Sequence, residues 1–143
     1  MRPIALYDAE CPFCRSSLAA LLAWDRHRRL EPVALQTERA AELLPGMSEE
    51  ERMESWHLVS ADGTVHSAGA AFGPLLGLLP GGAPLARLAE LSPRFTQSAY
   101  EWVSLRRGRF ANWIPDRLRR RADRLILERT SPAKPREGPP ARR

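Results

Sequence analysis

Cys11-Pro12-Phe13-Cys14 contains the only two cysteines of the chain, and it stands between a short apolar run and a long helical stripe. Ile4-Ala5-Leu6 before it reads as a two-sided buried strand, while Cys14, Leu18, Leu21 and Leu22 recur at helical spacing after it. The pair is therefore expected at a strand-to-helix turn. Cys11 stands at the helix N-terminus, and Pro12 in the first turn lacks an N–H the helix would not use. On a hairpin the same spacing would point to zinc ligands. At a strand-to-helix turn it points to a redox dithiol.

The rest of the chain continues in short elements. The first helix is expected to run to about His27, and Leu30 to Leu35 predicts a second strand. Pro32 has no N–H to give a ladder, which places that strand at a sheet edge. Glu38 to Leu44 predicts a helix ended by Pro45-Gly46, and Ser48 with Glu51 predicts an N-capped helical turn. Residues 55–60 and 64–67 flank Ala61-Asp62-Gly63, a hairpin signal. Ala70 to Leu79 predicts an apolar helix, and Leu85, Leu88 and Leu91 mark a short one. Phe95 to Arg107 predicts a longer helix that turns Ala99, Trp102 and Val103 inward. Ile114, Leu118, Ala122, Leu125 and Ile126 form a last stripe, with Pro115 in its first turn. Residues 129–143 have no apolar pattern, and a disordered, basic, proline-rich tail is expected there. The chain thus reads as one domain over residues 1–128, with a core at about 3–80 and a helical extension at about 84–128. The element order predicts an α/β fold with a central mixed four-stranded sheet flanked by helices.

Charge is unevenly divided: residues 1–105 carry a net −4 and residues 106–143 a net +9. Every basic residue except Lys134 is an arginine. No DNA- or RNA-binding motif accompanies them, so nucleic acid is not an expected partner. The Arg106-to-Arg124 cluster reads either as a solvated helix face or as a docking surface for an acidic partner. No apolar run reaches the roughly 18–20 residues of a membrane span, and no secretory signal pattern opens the chain. A reducing cytoplasm is the expected compartment, where the two thiols act transiently and do not form a structural bridge.

The nucleophile of such a pair is a thiolate, and a free thiol has a pKa of about 8.5. The helix N-terminus aims unpaired N–H groups at Cys11 and favours its ionised form. Cys14, one turn further on, is shielded yet within reach. Cys11 is therefore expected to attack a disulfide and Cys14 to resolve the mixed disulfide. Asp8 and Glu10 oppose ionisation of Cys11; Asp8 either relays a proton for Cys14 or caps the loop. The chain has no Rossmann fingerprint for a nicotinamide or flavin, so no cofactor is expected. Its substrate would be a disulfide of a protein or small thiol, with electrons from an external reductant.

Tyr7-Asp8-Ala9-Glu10-Cys11-Pro12-Phe13-Cys14 resembles the opening motif of the DCC family of thiol-disulfide oxidoreductases. The family's D-x-x-C-x-x-C corresponds here to Asp8, Cys11 and Cys14. The resemblance continues through Asp62-Gly63, Ser67-Ala68-Gly69-Ala70-Ala71 and Leu79-Pro80-Gly81-Gly82. It ends in Tyr100-Glu101-Trp102-Val103 with Arg106, Arg107 and Arg109, and so covers about residues 3–113. It implies a thioredoxin-like fold and disulfide oxidoreductase activity at Cys11 and Cys14, with Tyr7, Pro12 and Phe13 supporting the motif. The chain departs from the family in carrying Ala9-Glu10 where Gly-Asp is usual. It departs from thioredoxins in having no proline in Met53-Glu54-Ser55, where they carry a cis-proline.

Two other readings compete. One is a non-catalytic binding module on the same scaffold, docking through the basic C-terminal helices. The other is a metal-binding dithiol, but a mononuclear zinc site needs about four ligands. His27, His57 and His66 are not spaced as a second pair, and no metal is expected. His57 reads as a packed strand residue, His27 and His66 as surface residues. Trp24, Trp56, Trp102 and Trp113 read as packing residues, with Trp113 beside the basic helix the candidate for stacking on nucleic acid.

Overall fold

The structure, a computed structural model, describes residues 1–130. Strands β1 (Ile4–Tyr7), β2 (Glu31–Ala34), β3 (His57–Val59) and β4 (Val65–Ser67) form one mixed sheet in the order β2-β1-β3-β4. β2 runs parallel to β1, and β3 runs antiparallel to both β1 and β4. The second strand is thus an edge strand, as its proline requires. Glu31 and Leu35 donate their N–H groups to the carbonyls of Pro3 and Tyr7, each at 2.9 Å. Odd-numbered positions of β2 therefore face β1, and the N–H that Pro32 lacks would point to the open side.

Around the sheet lie α1 (Pro12–Trp24), α2 (Glu38–Leu43), α3 (Glu49–Glu54), α4 (Phe72–Leu78), α5 (Ala83–Leu91), α6 (Pro93–Trp113) and α7 (Asp116–Thr130). The alternation of β1 divides the core in two. Ala5 faces Leu18 and Leu22 of α1, Leu75 of α4 and Ile126 of α7. Ile4 and Leu6 face the other way, to Val33, Leu35, Ala40 and Leu44. Helices cover both faces, and the architecture is a thioredoxin-like α/β fold.

Local signals account for most boundaries. Ser48 Oγ accepts the Glu51 N–H at 3.2 Å, and the Glu51 carboxylate accepts the Ser48 N–H at 2.7 Å, completing the capping box that starts α3. Gly63 closes the hairpin at φ 86° and donates to Ser60 O at 2.9 Å. After β4 the chain makes a 3₁₀ turn, Ala68–Ala71, before α4. A Cβ on Gly69 would stand 2.6 Å from the Gln97 Cα, so a side chain there would push α6 off the turn.

Three expectations are corrected. α1 stops at Trp24 because Asp25 turns the chain, its carboxylate accepting the N–H groups of Arg29 and Leu30 at 3.0 and 2.9 Å. α6 does not turn its apolar residues into the core: none of its side chains is fully buried, and Ala99 and Trp102 are exposed. Trp102 instead packs on Phe110 of the same helix, with the Arg106 guanidinium 4.4 Å above its ring. Arg129 and Thr130, read from sequence as the start of the tail, form the last turn of α7. The Arg129 guanidinium donates to Asp25 Oδ2 at 3.1 Å and to the carbonyls of Leu22 and Asp25 at 2.6 and 2.7 Å. Residues 131–143, the rest of that expected tail, lie outside the described residues.

His57 is buried in β3, and its ring is held at both nitrogens. The Arg52 carbonyl at 3.0 Å can only accept, so Nε2 carries the proton and Ser67 donates its hydroxyl to Nδ1 at 2.7 Å. Burial pushes the His57 pKa below its ordinary value, opposed in part by the Arg52 carbonyl. The unfolded chain therefore binds the proton more readily. Stability is expected to be intact above about pH 6.5 and to fall as pH drops toward the lowered value, by at most about 1.4 kcal/mol per pH unit from this group. Urea melts of the wild type and His57→Gln between pH 8 and 5 check this. The variant should show the weaker loss in acid.

Candidate active site

Cys11 is the N-cap residue of α1, with φ −85° and ψ 112°, and its Sγ accepts the Cys14 N–H at 3.3 Å. A sulfur therefore takes the place of the oxygen that usually caps a helix, at the end where partial positive charge gathers. Pro12 occupies the first helical position. The loop leading to the pair is braced from β2. Asp8 Oδ1 accepts the Glu10 N–H at 2.9 Å and Gln36 Nε2 at 2.8 Å, while Gln36 Oε1 accepts the Ala9 N–H at 3.3 Å. From the other side Arg15 donates to Ala9 O at 3.3 Å and pairs with Asp123 of α7 at 3.0 Å.

A carboxylate oxygen of Asp8 and the sulfurs of Cys11 and Cys14 lie within 4.8 Å of one another. No fourth side chain joins this group among the described residues. The two thiols differ in setting. Burial pushes the Cys14 pKa up to about 12, helped by its hydrogen bond to Cys11 and by negative charge on Cys11 and Asp8. Arg107 of α6 pulls the other way. Burial also raises the pKa of Tyr7, at the end of β1, and of Tyr100, on α6. Ser104 and the Trp56 backbone oppose the rise at Tyr100 by hydrogen bonding.

Cys14 opens into a groove of about 690 Å³ walled by α1, α4, α5 and α6. Its lining is almost wholly apolar: Leu21 and Trp24 of α1, Phe72 and Leu76 of α4, Leu88 of α5 and Val103 of α6 are among its residues. Phe13 and Tyr100 stand with Cys14 along it, and Arg107 is its one basic side chain. Phe13 also reaches α6, with its ring 5.8 Å from that of Phe110.

The structure thus brings Tyr7, Asp8, Pro12 and Phe13 to one place with the cysteines. His27 is exposed, and neither it nor His66 belongs to the group around the sulfurs. Trp113 is 88% exposed at the end of α6. Sequence reasoning assigned no role to Arg15, Gln36 or Tyr100 and read Arg107 only as part of the arginine cluster; Tyr100 and Arg107 stood within the late motif of the resemblance, with nothing local to tie them to Cys14. The arginine cluster is partly spent inside the molecule. Arg106 covers Trp102, and Arg119 donates to the Ala111 and Ile114 carbonyls at 2.6 and 3.1 Å, closing the end of α6.

A family model of DCC1-like thiol-disulfide oxidoreductases matches residues 5–113. No curated protein and no solved structure matches the chain.

Proposed function

From the chain's membership of the DCC1-like thiol-disulfide oxidoreductase family, we propose that Cys11 is its attacking thiol and Cys14 its resolving thiol. The observation that carries this reading is the asymmetry of the pair. Cys11 caps the helix, whereas Cys14 is held protonated below it. The Cys11 thiolate attacks one sulfur of a substrate disulfide, whose other sulfur leaves as a thiolate. The Cys14 thiolate then attacks Cys11 Sγ, the second substrate thiol leaves, and the protein keeps the Cys11–Cys14 disulfide. Two electrons have passed to the substrate, and an external reductant restores the dithiol.

The redox equilibrium of the pair in glutathione buffers, with mass mapping of the cysteine that takes up glutathione, tests the reading. A reversible Cys11–Cys14 disulfide, with glutathione carried on Cys11, supports it. The absence of a defined couple, or glutathione carried on Cys14 alone, refutes it.

Asp8 acts on the second step. In the mixed disulfide the charge and hydrogen bond of Cys11 are gone, leaving burial and Asp8 to keep Cys14 protonated and Arg107 to oppose them. Asp8→Asn is expected to move the pH profile of resolution to lower pH, and Arg107→Gln to higher pH. Stopped-flow release of the second thiol measures both. A profile that rises in pH with Asp8→Asn would instead make Asp8 the proton acceptor for Cys14. No helix of the described residues is long and apolar enough to cross a membrane. The internal duties of Arg106, Arg119 and Arg129 leave the scaffold-docking alternative with fewer free arginines than the sequence offered.

A further inference from the structure

The groove beside Cys14 has a second use, which rests on the dithiol exchange proposed above. Most of its lining is helical, with backbone groups already bonded within each helix, and β1 with the Ser55-Trp56 segment supplies the rest. An extended peptide buried there would leave its own amides unpaired, at a penalty of about 1–3 kcal/mol for each. An apolar chain carries no such groups. A volume of about 690 Å³ falls in the usual range for small-molecule pockets.

Aromatic side chains gather at the dithiol end of the groove. Phe13, Trp56, Phe72 and Tyr100 offer aromatic faces and edges there, with Trp56 and Phe72 at 5.3 Å and Phe72 and Tyr100 at 6.4 Å between centroids. These suit a planar ring. Arg107 adds a cation that has no carboxylate partner and no side-chain hydrogen bond among the described residues. Lining the groove with Cys14, it complements an oxygen that gains negative charge as the thiols give up electrons. A planar, oxygen-bearing electron acceptor with an apolar tail meets all three conditions.

We propose that the groove binds a lipophilic quinone, its tail along α1, α4, α5 and α6 and its ring beside Cys11, Cys14 and Arg107, and that this quinone reoxidises the dithiol. The Cys11 thiolate attacks the quinone ring, and the Cys14 thiolate then attacks Cys11 Sγ. The S–S bond forms as the sulfur–ring bond breaks, and its electron pair stays on the ring. The two thiol protons complete the hydroquinone. The dithiol loses two electrons and two protons, and the quinone gains them. In this direction the protein passes electrons from a substrate dithiol to the quinone.

The test uses the reduced full chain without oxygen, in dilute non-ionic detergent. Decylubiquinone is compared with short-tailed ubiquinone-1, which has the same substituted ring, and 2-hydroxyethyl disulfide reports exchange independently. Loss of two hydrogens by mass identifies the internal disulfide. Decylubiquinone is expected to react on the order of 100-fold faster than ubiquinone-1, because several more methylenes leave water. Arg107→Gln should slow decylubiquinone about tenfold more than 2-hydroxyethyl disulfide, and Arg107→Lys should restore most of the difference. Equal rates for the two quinones overturn the proposal, as does no oxidation by decylubiquinone while exchange with 2-hydroxyethyl disulfide persists. Either result leaves the exchange reading standing. Failure with all three reagents fells both. Equal quinone rates in a chain that sediments as a dimer would assign the groove to a second copy, which also overturns the proposal.

Discussion

Replacing Arg129 by alanine is expected to destabilise the fold by about 3–5 kcal/mol, the usual cost of leaving one member of a buried ion pair alone. Arg129 is 6% exposed and Asp25 is fully buried. Without the guanidinium, the Asp25 carboxylate keeps only the N–H groups of Arg29 and Leu30. The Leu22 and Asp25 carbonyls, at the end of α1, lose their donor as well. Urea denaturation of the full chain reads the change. Arg124→Ala, an exposed position on the same helix, should stay within about 0.5 kcal/mol of wild type. A loss below about 1 kcal/mol for Arg129→Ala would mean that the end of α7 is not docked on α1. Arg129→Met separates charge from packing, since it keeps an apolar stem and should recover only part of the loss.

The second large effect concerns the cysteines themselves. Cys11→Ser is expected to lower disulfide exchange by on the order of 10³-fold or more, because a hydroxyl is not a nucleophile at neutral pH and burial keeps the remaining Cys14 thiol protonated. Cys14→Ser should leave the first attack in place and stop the second. A covalent mixed disulfide on Cys11 should then accumulate, visible by mass and reversible by dithiothreitol. Burial still holds the thiol of Cys14 up in the Cys11→Ser protein, which should therefore resist alkylation at pH 8 for hours. The same substitution removes the Cys11 charge, so Cys14 becomes more reactive than in the native pair but stays slow through burial. Equal residual exchange in the two serine variants would refute the division of roles.

Much of the fold was legible because its signals are local. The capping box of Ser48 and Glu51, the Gly63 turn and the cysteines at the start of α1 are each decided within a few residues of chain. Pro32 predicted its edge position because one missing N–H has few places to go. The Asp25–Arg129 pair was not legible: its members are 104 residues apart, and Arg129 stands just before a proline-rich stretch that masks the end of the helix. The same holds for the site. Asp8, Cys11 and Cys14 declare themselves by spacing, but Gln36 reaches Asp8 only because β2 lies beside β1. Arg107 shares the groove with Cys14 only because α6 folds back over α1. Leu85, Leu88 and Leu91 carried a core-like spacing, yet they are 47%, 59% and 82% exposed. Periodicity marks an apolar face without saying whether protein, ligand or solvent meets it.

Pro32 also governs what company the sheet can keep. An edge strand invites foreign strands to add to it, and that invitation underlies both peptide capture and aggregation. On β2 the outward rung that would receive a neighbour's carbonyl is missing, while the opposite edge, β4, is only three residues long. Each border offers an extended polypeptide few main-chain partners. Recognition at Cys11 and Cys14 is left to side chains from the surrounding helices, so selectivity is expected to follow shape and polarity of the incoming molecule and to be indifferent to its main chain.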